Sequence, residues 1–135
     1  MKLVVDANIL FSALIRDDHT RRLFFKDGLE LFAPEYLFDE FEKYEDEILE
    51  KTQRSRDELS TAVAILRDKM TIFPTDKYKK FMKNALEITP DKNDAAYFAV
   101  ALAINGNLWS NDKLLKTQNT VRVFSTAEIT ELFSK

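Results

Sequence analysis

The chain has no cysteine, a single histidine and only two glycines among its 135 residues. The absence of cysteine excludes disulfides, thiolate catalysis and zinc sites built on sulfur. The one imidazole, at His19, excludes any mechanism that needs two. Whatever chemistry the chain performs must therefore use carboxylates, hydroxyls, amines or a bound metal ion.

Long apolar runs and an excess of positive charge are also missing. No run reaches the roughly 20 apolar residues that span a membrane, and Met1-Lys2 leads into a predicted strand rather than a signal peptide. We therefore expect a cytoplasmic protein with no membrane partner. The 20 basic and 23 acidic residues give a net charge of −3. Binding to phosphates would consequently need local basic patches or a metal ion.

The residues that are present suit a globular protein, with 45% apolar and 32% charged side chains. The length predicts a single domain over residues 1–135. Strands are predicted at residues 2–5, 29–33, 70–73, 108–110 and 121–124. Because predicted helices separate them, we expect a three-layer α/β/α sandwich. Its sheet should be mainly parallel, with four or five strands and Lys2–Val5 at the centre.

Apolar spacing and capping signals place the helices between these strands. The first helix carries Ile9 to Leu14, and others are predicted at 20–26, 76–88, 94–104 and 127–133, with a polar turn at 16–19. Pro34 suits the first turn of a helix whose buried face carries Leu37, Phe41, Tyr44 and Ile48. Ser55 and Ser125 each precede a glutamate by three residues, which predicts a capping box at two helix starts. In the segment 76–88 we expect Tyr78, Phe81, Met82, Ala85 and Leu86 to be buried.

Four acidic residues occur where a parallel sheet could bring them together. Asp6 follows the first strand directly, and Asp112 follows the fourth strand by two residues. Asp94 begins the buried helix 94–104, and Glu40 borders the buried face of its own helix. Ligands bind at the carboxyl ends of strands in open α/β sheets. Four converging carboxylates suit a hard cation, Mg²⁺ or Mn²⁺.

Each of these acids also has a purely structural interpretation. Asp6, Asn8, Asp91 and Asp94 could simply cap the N-termini of helices. Asp112 could be an ordinary turn residue, as an aspartate after asparagine often is. Both interpretations remain open at this point.

Taken in order, four motifs resemble the PIN domain family. They are Val5-Asp6-Ala7-Asn8, the stretch from Pro34 to Glu40, Asp91-Lys92-Asn93-Asp94-Ala95-Ala96 and Trp109-Ser110-Asn111-Asp112. The resemblance covers nearly the whole chain. It implies a sheet of strand order 3-2-1-4-5 and a metal-dependent ribonuclease, a family that includes the toxins of many prokaryotic type II toxin–antitoxin pairs.

The resemblance also implies roles for individual residues. It assigns the acidic, metal-binding and catalytic centre to Asp6, Glu40, Asp94 and Asp112, with auxiliary positions at Asn8, Asp91 and Ser110. Ala7 departs from the pattern, because many members have Ser or Thr there. The missing hydroxyl could tune a bound metal but should not abolish its binding.

We therefore expect hydrolysis of RNA phosphodiester bonds with one or two divalent ions, leaving a 5′-phosphate and a 3′-hydroxyl. The partners to consider besides RNA are a protein antitoxin and a second copy of the chain. Contacts to the RNA backbone are assigned to Lys77, Lys79, Lys80, Lys83, Arg21 and Arg22. An ordinary solvated face explains the same basic residues equally well.

Two other functional classes remain as alternatives. One is a catalytically weak or inactive PIN-like binding module in a regulatory complex. The other is a phosphotransfer protein in which Asp6 forms an acyl phosphate. The second alternative lacks an acid two residues later, where Asn8 stands, and gives Glu40 no role.

Overall fold

The computed structural model describes residues 1–15 and 18–134. Within them, five parallel strands form one sheet of order β3-β2-β1-β4-β5. The strands are β1 (Lys2–Val5), β2 (Glu30–Pro34), β3 (Met70–Phe73), β4 (Asn107–Trp109) and β5 (Val123–Phe124). Leu3 pairs with Leu31 of β2 on one side and with Asn107 of β4 on the other. The predicted order and parallel direction of the sheet are therefore confirmed.

Strand β1 lies at the centre of the sheet and is covered on both faces. Leu3, Val4 and Val5 are each 0% exposed. Because successive strand residues point to opposite faces, both faces must be packed against other elements. The sheet is thus the middle of three layers, as the sequence predicted.

The helices are α1 (Ala7–Ile15), α2 (Asp18–Leu23), α3 (Tyr36–Thr52), α4 (Arg56–Arg67), α5 (Thr75–Tyr78), α6 (Met82–Ile88), α7 (Ala95–Ile104) and α8 (Thr126–Leu132). Short 3₁₀ helices occur at Lys79–Phe81, Lys92–Asp94 and Lys113–Thr117. Both predicted capping boxes form, Ser55 with Glu58 at α4 and Ser125 with Glu128 at α8. In the part of the chain that the structure describes, no helix has the length and hydropathy needed to cross a membrane.

The connection between α1 and β2 differs from its prediction. Of the expected polar turn at 16–19, residues 16 and 17 lie outside the described residues, and Asp18 already begins α2. Helix α2 ends at Leu23 rather than at residue 26. The chain then continues in tight turns, with the Phe24 N–H donating to the Arg21 carbonyl at 3.1 Å.

Pro34 ends a strand instead of beginning a helix. It pairs with Phe73 at the end of β2. Proline has no N–H to donate, and the next residue, Glu35, donates its N–H to the Phe73 carbonyl at 2.9 Å. The prediction that Pro34 lies in a helical first turn is therefore wrong.

The helix predicted over residues 76–88 is interrupted. It forms α5 and α6, joined by the 3₁₀ turn Lys79–Phe81, and all three pieces pack against α7. A 3₁₀ helix turns about 20° more per residue than an α-helix, which shifts the side chains that follow around the axis. Tyr78 and Ala85 are buried as predicted, whereas Leu86 is exposed.

Candidate active-site crevice

A crevice of about 660 Å³ opens at the carboxyl ends of β1 and β4, beside α1 and α3. Its lining includes all four acids predicted to form the centre, namely Asp6, Glu40, Asp94 and Asp112. Asn8, one of the predicted auxiliary residues, also lines it. The fold therefore brings together residues that are up to 106 positions apart in the sequence.

Asp6 is held where β1 turns into α1. Its backbone N–H continues the sheet by donating to the Trp109 carbonyl at 3.3 Å. Its Oδ1 atom accepts the Ile9 N–H at 3.1 Å, so the carboxylate caps the start of α1. Burial raises the pKa of Asp6 to about 6, and a hydrogen bond from the Ser110 hydroxyl partly opposes that rise.

Ser110 connects two of the acids. Its side chain is buried, and its Oγ atom accepts the backbone N–H of Asp112 at 3.1 Å. The same hydroxyl hydrogen-bonds the Asp6 carboxylate. One oxygen of Asp112 accepts the Leu114 N–H at 3.0 Å and caps the 3₁₀ helix that follows. Ser110 thus interacts with both Asp6 and the loop that carries Asp112.

Asp94 differs from Asp6 and Asp112 because its side chain caps no helix. It lies at the N-cap position of α7, but its side chain makes no capping hydrogen bond. Burial, followed by the negative charges of Asp6, Asp91, Glu40 and Asp112, raises the pKa of Asp94 to about 7. The carboxylate at the start of the most buried helix is therefore held among like charges.

Asp91 has the structural role that Asp94 lacks. Its carboxylate accepts the Asn93 N–H at 3.0 Å and so caps the turn Lys92–Asp94. Asp91 is exposed and does not line the crevice. The structure therefore supports the capping interpretation fully for Asp91 and not for Asp94.

Glu40 has a buried partner that the sequence reasoning missed. The Tyr97 hydroxyl of α7 donates to Glu40 Oε1 at 2.5 Å. Tyr97 is only 1% exposed, and the Tyr36 ring lies edge-on to it at 6.3 Å between centroids. Burial and the hydrogen bond to Glu40 both raise the pKa of Tyr97. A lone tyrosine in an otherwise apolar helix, three residues after Asp94, was the available signal.

The sequence reasoning also missed the aromatic and aliphatic side chains that line the crevice beside the Glu47–Lys51 ion pair. We call Phe11, Ile15, Tyr44 and Ile48 the aromatic end; all four line the crevice. Tyr44 was predicted to be buried, but it is 46% exposed. Its ring lies edge-on to Phe11 with 5.5 Å between centroids.

The acids fit a divalent cation in chemistry, but they are not preassembled around one point. Among residues 1–15 and 18–134, no three His, Asp or Glu side chains are grouped closely enough to hold a metal ion as they stand. The oxygen ligands are those that Mg²⁺ and Mn²⁺ prefer. The mutual increase in pKa is the repulsion that a cation would relieve. Sharing one ion therefore requires the carboxylates to move closer together.

The basic residues assigned to RNA lie away from this crevice. None of Lys77, Lys79, Lys80, Lys83, Arg21 and Arg22 is among the described residues that line it. The four lysines are exposed on the segment from α5 to α6. Arg21 forms an ion pair with Asp18, and Arg22 is exposed. The basic side chain at the crevice is instead Lys51, which pairs with Glu47 at 3.0 Å.

Comparisons with known proteins agree with the fold. A family model described as PIN domain matches residues 4–130. Nine chains of solved structures match, including one in the crystal structure of VapBC2 from Rickettsia felis bound to a DNA fragment from their promoter. That chain is 14% identical to this one, with a TM-score of 0.67 over 93% of this chain and 98% of its own length. No curated protein sequence matches significantly.

Proposed function

The chain belongs to the PIN domain family, and on that basis we propose that it is a divalent-metal-dependent ribonuclease that hydrolyses RNA phosphodiester bonds. The observation that carries this proposal is the crevice in which Asp6, Glu40, Asp94 and Asp112 meet at the carboxyl ends of the strands. Three of these acids raise the pKa of the fourth, Asp94. Clustered carboxylates of this kind are expected where charge is needed for binding or catalysis.

Asp6, Asp94 and Asp112 would hold the cation, with help from Glu40. When bound, Mg²⁺ or Mn²⁺ lowers the pKa of water and neutralises charge that develops on the phosphate. Ser110 would orient Asp6 through its hydroxyl. Tyr97 would orient Glu40 through the hydrogen bond between its hydroxyl and Oε1.

We propose that the cellular role of this ribonuclease is that of the toxin in a type II toxin–antitoxin pair. It is supported by the fold shared with a chain of the VapBC2 structure and by the family that the motifs resemble. A protein antitoxin would then be the partner. Lys77, Lys79, Lys80 and Lys83 are exposed and available to contact RNA phosphates, which makes them the candidates outside the crevice.

Cleavage of a labelled single-stranded RNA in Mg²⁺, in Mn²⁺ and in EDTA tests the activity. We expect 5′-phosphorylated products with either ion and none in EDTA. Thermal melts of wild type and Asp112→Asn, each with EDTA and with manganese, test the site itself. Manganese should raise the melting temperature of wild type markedly more than that of the variant.

Asp57→Asn is the matched control for these melts. Asp57 is an exposed aspartate in the first turn of α4, away from the crevice. This variant should respond to manganese as wild type does. Equal manganese shifts for wild type and Asp112→Asn would contradict the metal site.

One observation favours a second candidate function. The carboxylates are not grouped as a ready ligand set, which is also expected of a PIN fold that serves as a catalytically weak or inactive binding module. Calorimetry separates the two candidates. No measurable binding of manganese to the wild-type protein would favour the binding module.

A further inference from the structure

The crevice has two ends of different chemistry, and only one is used by the proposed reaction. Its described lining contains five carboxylates, from Asp6, Glu40, Glu47, Asp94 and Asp112, and one ammonium, from Lys51. Lys51 is already paired with Glu47. Without a bound cation this lining repels phosphate, so contacts to phosphate alone cannot supply the affinity for an RNA strand.

The aromatic end offers a different kind of affinity. Tyr44 is 46% exposed although it lies in the apolar stripe of α3, and its ring is supported edge-on by Phe11 at 5.5 Å. Phe11 is itself partly buried and lies 6.4 Å from the Phe41 ring. A half-exposed aromatic ring that packs edge-on against a second ring is suited to stack a planar group. Ile15 and Ile48 complete an apolar surface beside it.

We propose that Tyr44, supported by Phe11, stacks an unpaired nucleobase of the RNA next to the phosphate that lies over the acids. The inference rests on the proposed function and adds a side chain that binds a base of the RNA. A nucleobase can reach an aromatic side chain in this way only when it is not stacked and paired within a duplex. The acids and Tyr44 line the same crevice, so one strand can contact both.

The acids and the aromatic end line one crevice, and this favours a nucleobase over a protein side chain as the group that binds to Tyr44. A base attached to the bound phosphate is delivered to the aromatic end by the substrate itself, so no second partner is required. Stacking also tolerates every base, because each has a π face. The site therefore distinguishes unpaired RNA from duplex RNA more strongly than it distinguishes one base from another.

The test measures steady-state cleavage of a short unpaired RNA in Mn²⁺. Stacking of one base on an aromatic side chain is lost on alanine substitution, so the KM of Tyr44→Ala should rise roughly 5- to 100-fold with kcat retained. Tyr44→Leu, which keeps apolar volume without a π face, should show the same rise. Tyr44→Trp should stay near wild type.

Phe25→Ala is the matched control, because Phe25 is 47% exposed and does not line the crevice. Its KM should not change. In EDTA, RNA binding without turnover is followed by quenching of the indole introduced by Tyr44→Trp. The buried Trp109 contributes background fluorescence, which is measured separately with the wild-type protein. The same RNA annealed to its complement should quench far less.

The outcomes separate this inference from the function on which it rests. Wild type that cleaves no RNA in Mn²⁺ contradicts the ribonuclease, while Tyr44-dependent binding in EDTA still supports the stacking site. Wild type that cleaves RNA while Tyr44→Ala and Tyr44→Leu keep its KM overturns the stacking site. In that case the aromatic end is left as a surface for a protein partner.

Discussion

The carboxylates in two regions of this molecule have pKa values that are shifted in opposite directions. At the N-termini of α4 and α8, Glu58 and Glu128 close capping boxes. Hydrogen bonds from Ser55 lower the pKa of Glu58, and the Lys116 ammonium lowers the pKa of Glu128 to about 2. In the crevice, burial raises the pKa of Asp6 to about 6 and of Asp94 to about 7.

The two regions show which charges serve the fold and which oppose it. A carboxylate whose pKa is lowered on folding stabilises the native state in its charged form, and one whose pKa is raised destabilises it. The capping glutamates belong to the first kind. The crevice aspartates belong to the second kind, so their retention in the fold needs another explanation, such as a bound cation or a catalytic role.

The largest expected effect is on activity. Asp94→Asn should lower metal-dependent RNA cleavage at least about 100-fold, because it removes a charged ligand of the cation. The unfolding free energy in EDTA should be unchanged or higher, because Asp94 makes no capping hydrogen bond and is surrounded by like charges. Cleavage assays and urea unfolding measure the two quantities.

Loss of both activity and stability in Asp94→Asn would place Asp94 with the structural caps. The control is Glu58→Gln, which changes a capping carboxylate outside the crevice. It should retain full cleavage activity. It should also lose some stability, since the charged Glu58 is the form that the cap favours.

The second effect is on the pH dependence of stability. At pH values between the ordinary pKa of 3.8 and the raised pKa values, Asp6 and Asp94 are protonated in the folded chain. In the unfolded chain the same two carboxyl groups are ionised. The unfolding free energy of metal-free protein should therefore fall as pH rises from about 4 to about 7. Asp6 alone contributes on the order of 2 kcal/mol to this fall.

Urea unfolding in EDTA at pH 5 and at pH 7.5 measures this dependence. The variant with both Asp6→Asn and Asp94→Asn should show a flatter profile over the same range. The capping glutamates do not obscure the result, because their pKa values are lowered below the ordinary 4.5 and they stay charged throughout. A profile that rises from pH 5 to pH 7.5 would contradict the burial of charge in the crevice.

A smaller effect is expected at the caps. Ser125→Ala removes the hydroxyl that accepts the Glu128 N–H at 3.1 Å, and it should lower the unfolding free energy by about 1 kcal/mol. RNA cleavage at saturating substrate should be unaffected. Ser125→Asp, which keeps a capping oxygen, serves as the control and should recover most of the loss.

The smallest effect concerns the exposed lysines. Replacing Lys79 and Lys83 with alanine should weaken RNA binding only about 2- to 5-fold at moderate salt, because they lie outside the crevice and their charges are screened. Anisotropy of labelled RNA at several salt concentrations measures this, and the salt slope should become shallower. The matched pair Lys26 and Lys69, on other parts of the surface, should leave the slope unchanged.

Much of the architecture was determined by the sequence alone, because the signals involved are local. The apolar run Lys2–Val5, the alternation of strands and helices and the two Ser-x-x-Glu capping boxes each depend on residues a few positions apart. The parallel sheet brings the carboxyl ends of its strands to one edge. That is why the sequence alone predicts that Asp6 and Asp112 lie near each other.

Only the tertiary structure decided which side chains meet across the crevice and which hydrogen-bond partner each of them has. Tyr97 reaches Glu40 across 57 residues, and the apolar stripe of α3 gives no indication that Tyr44 stays exposed while Phe41 is buried. Asp91 and Asp94 look alike in sequence, yet one caps a turn and the other does not. These outcomes depend on the packing of α1, α3 and α7 around the sheet, and packing joins residues that no local pattern connects.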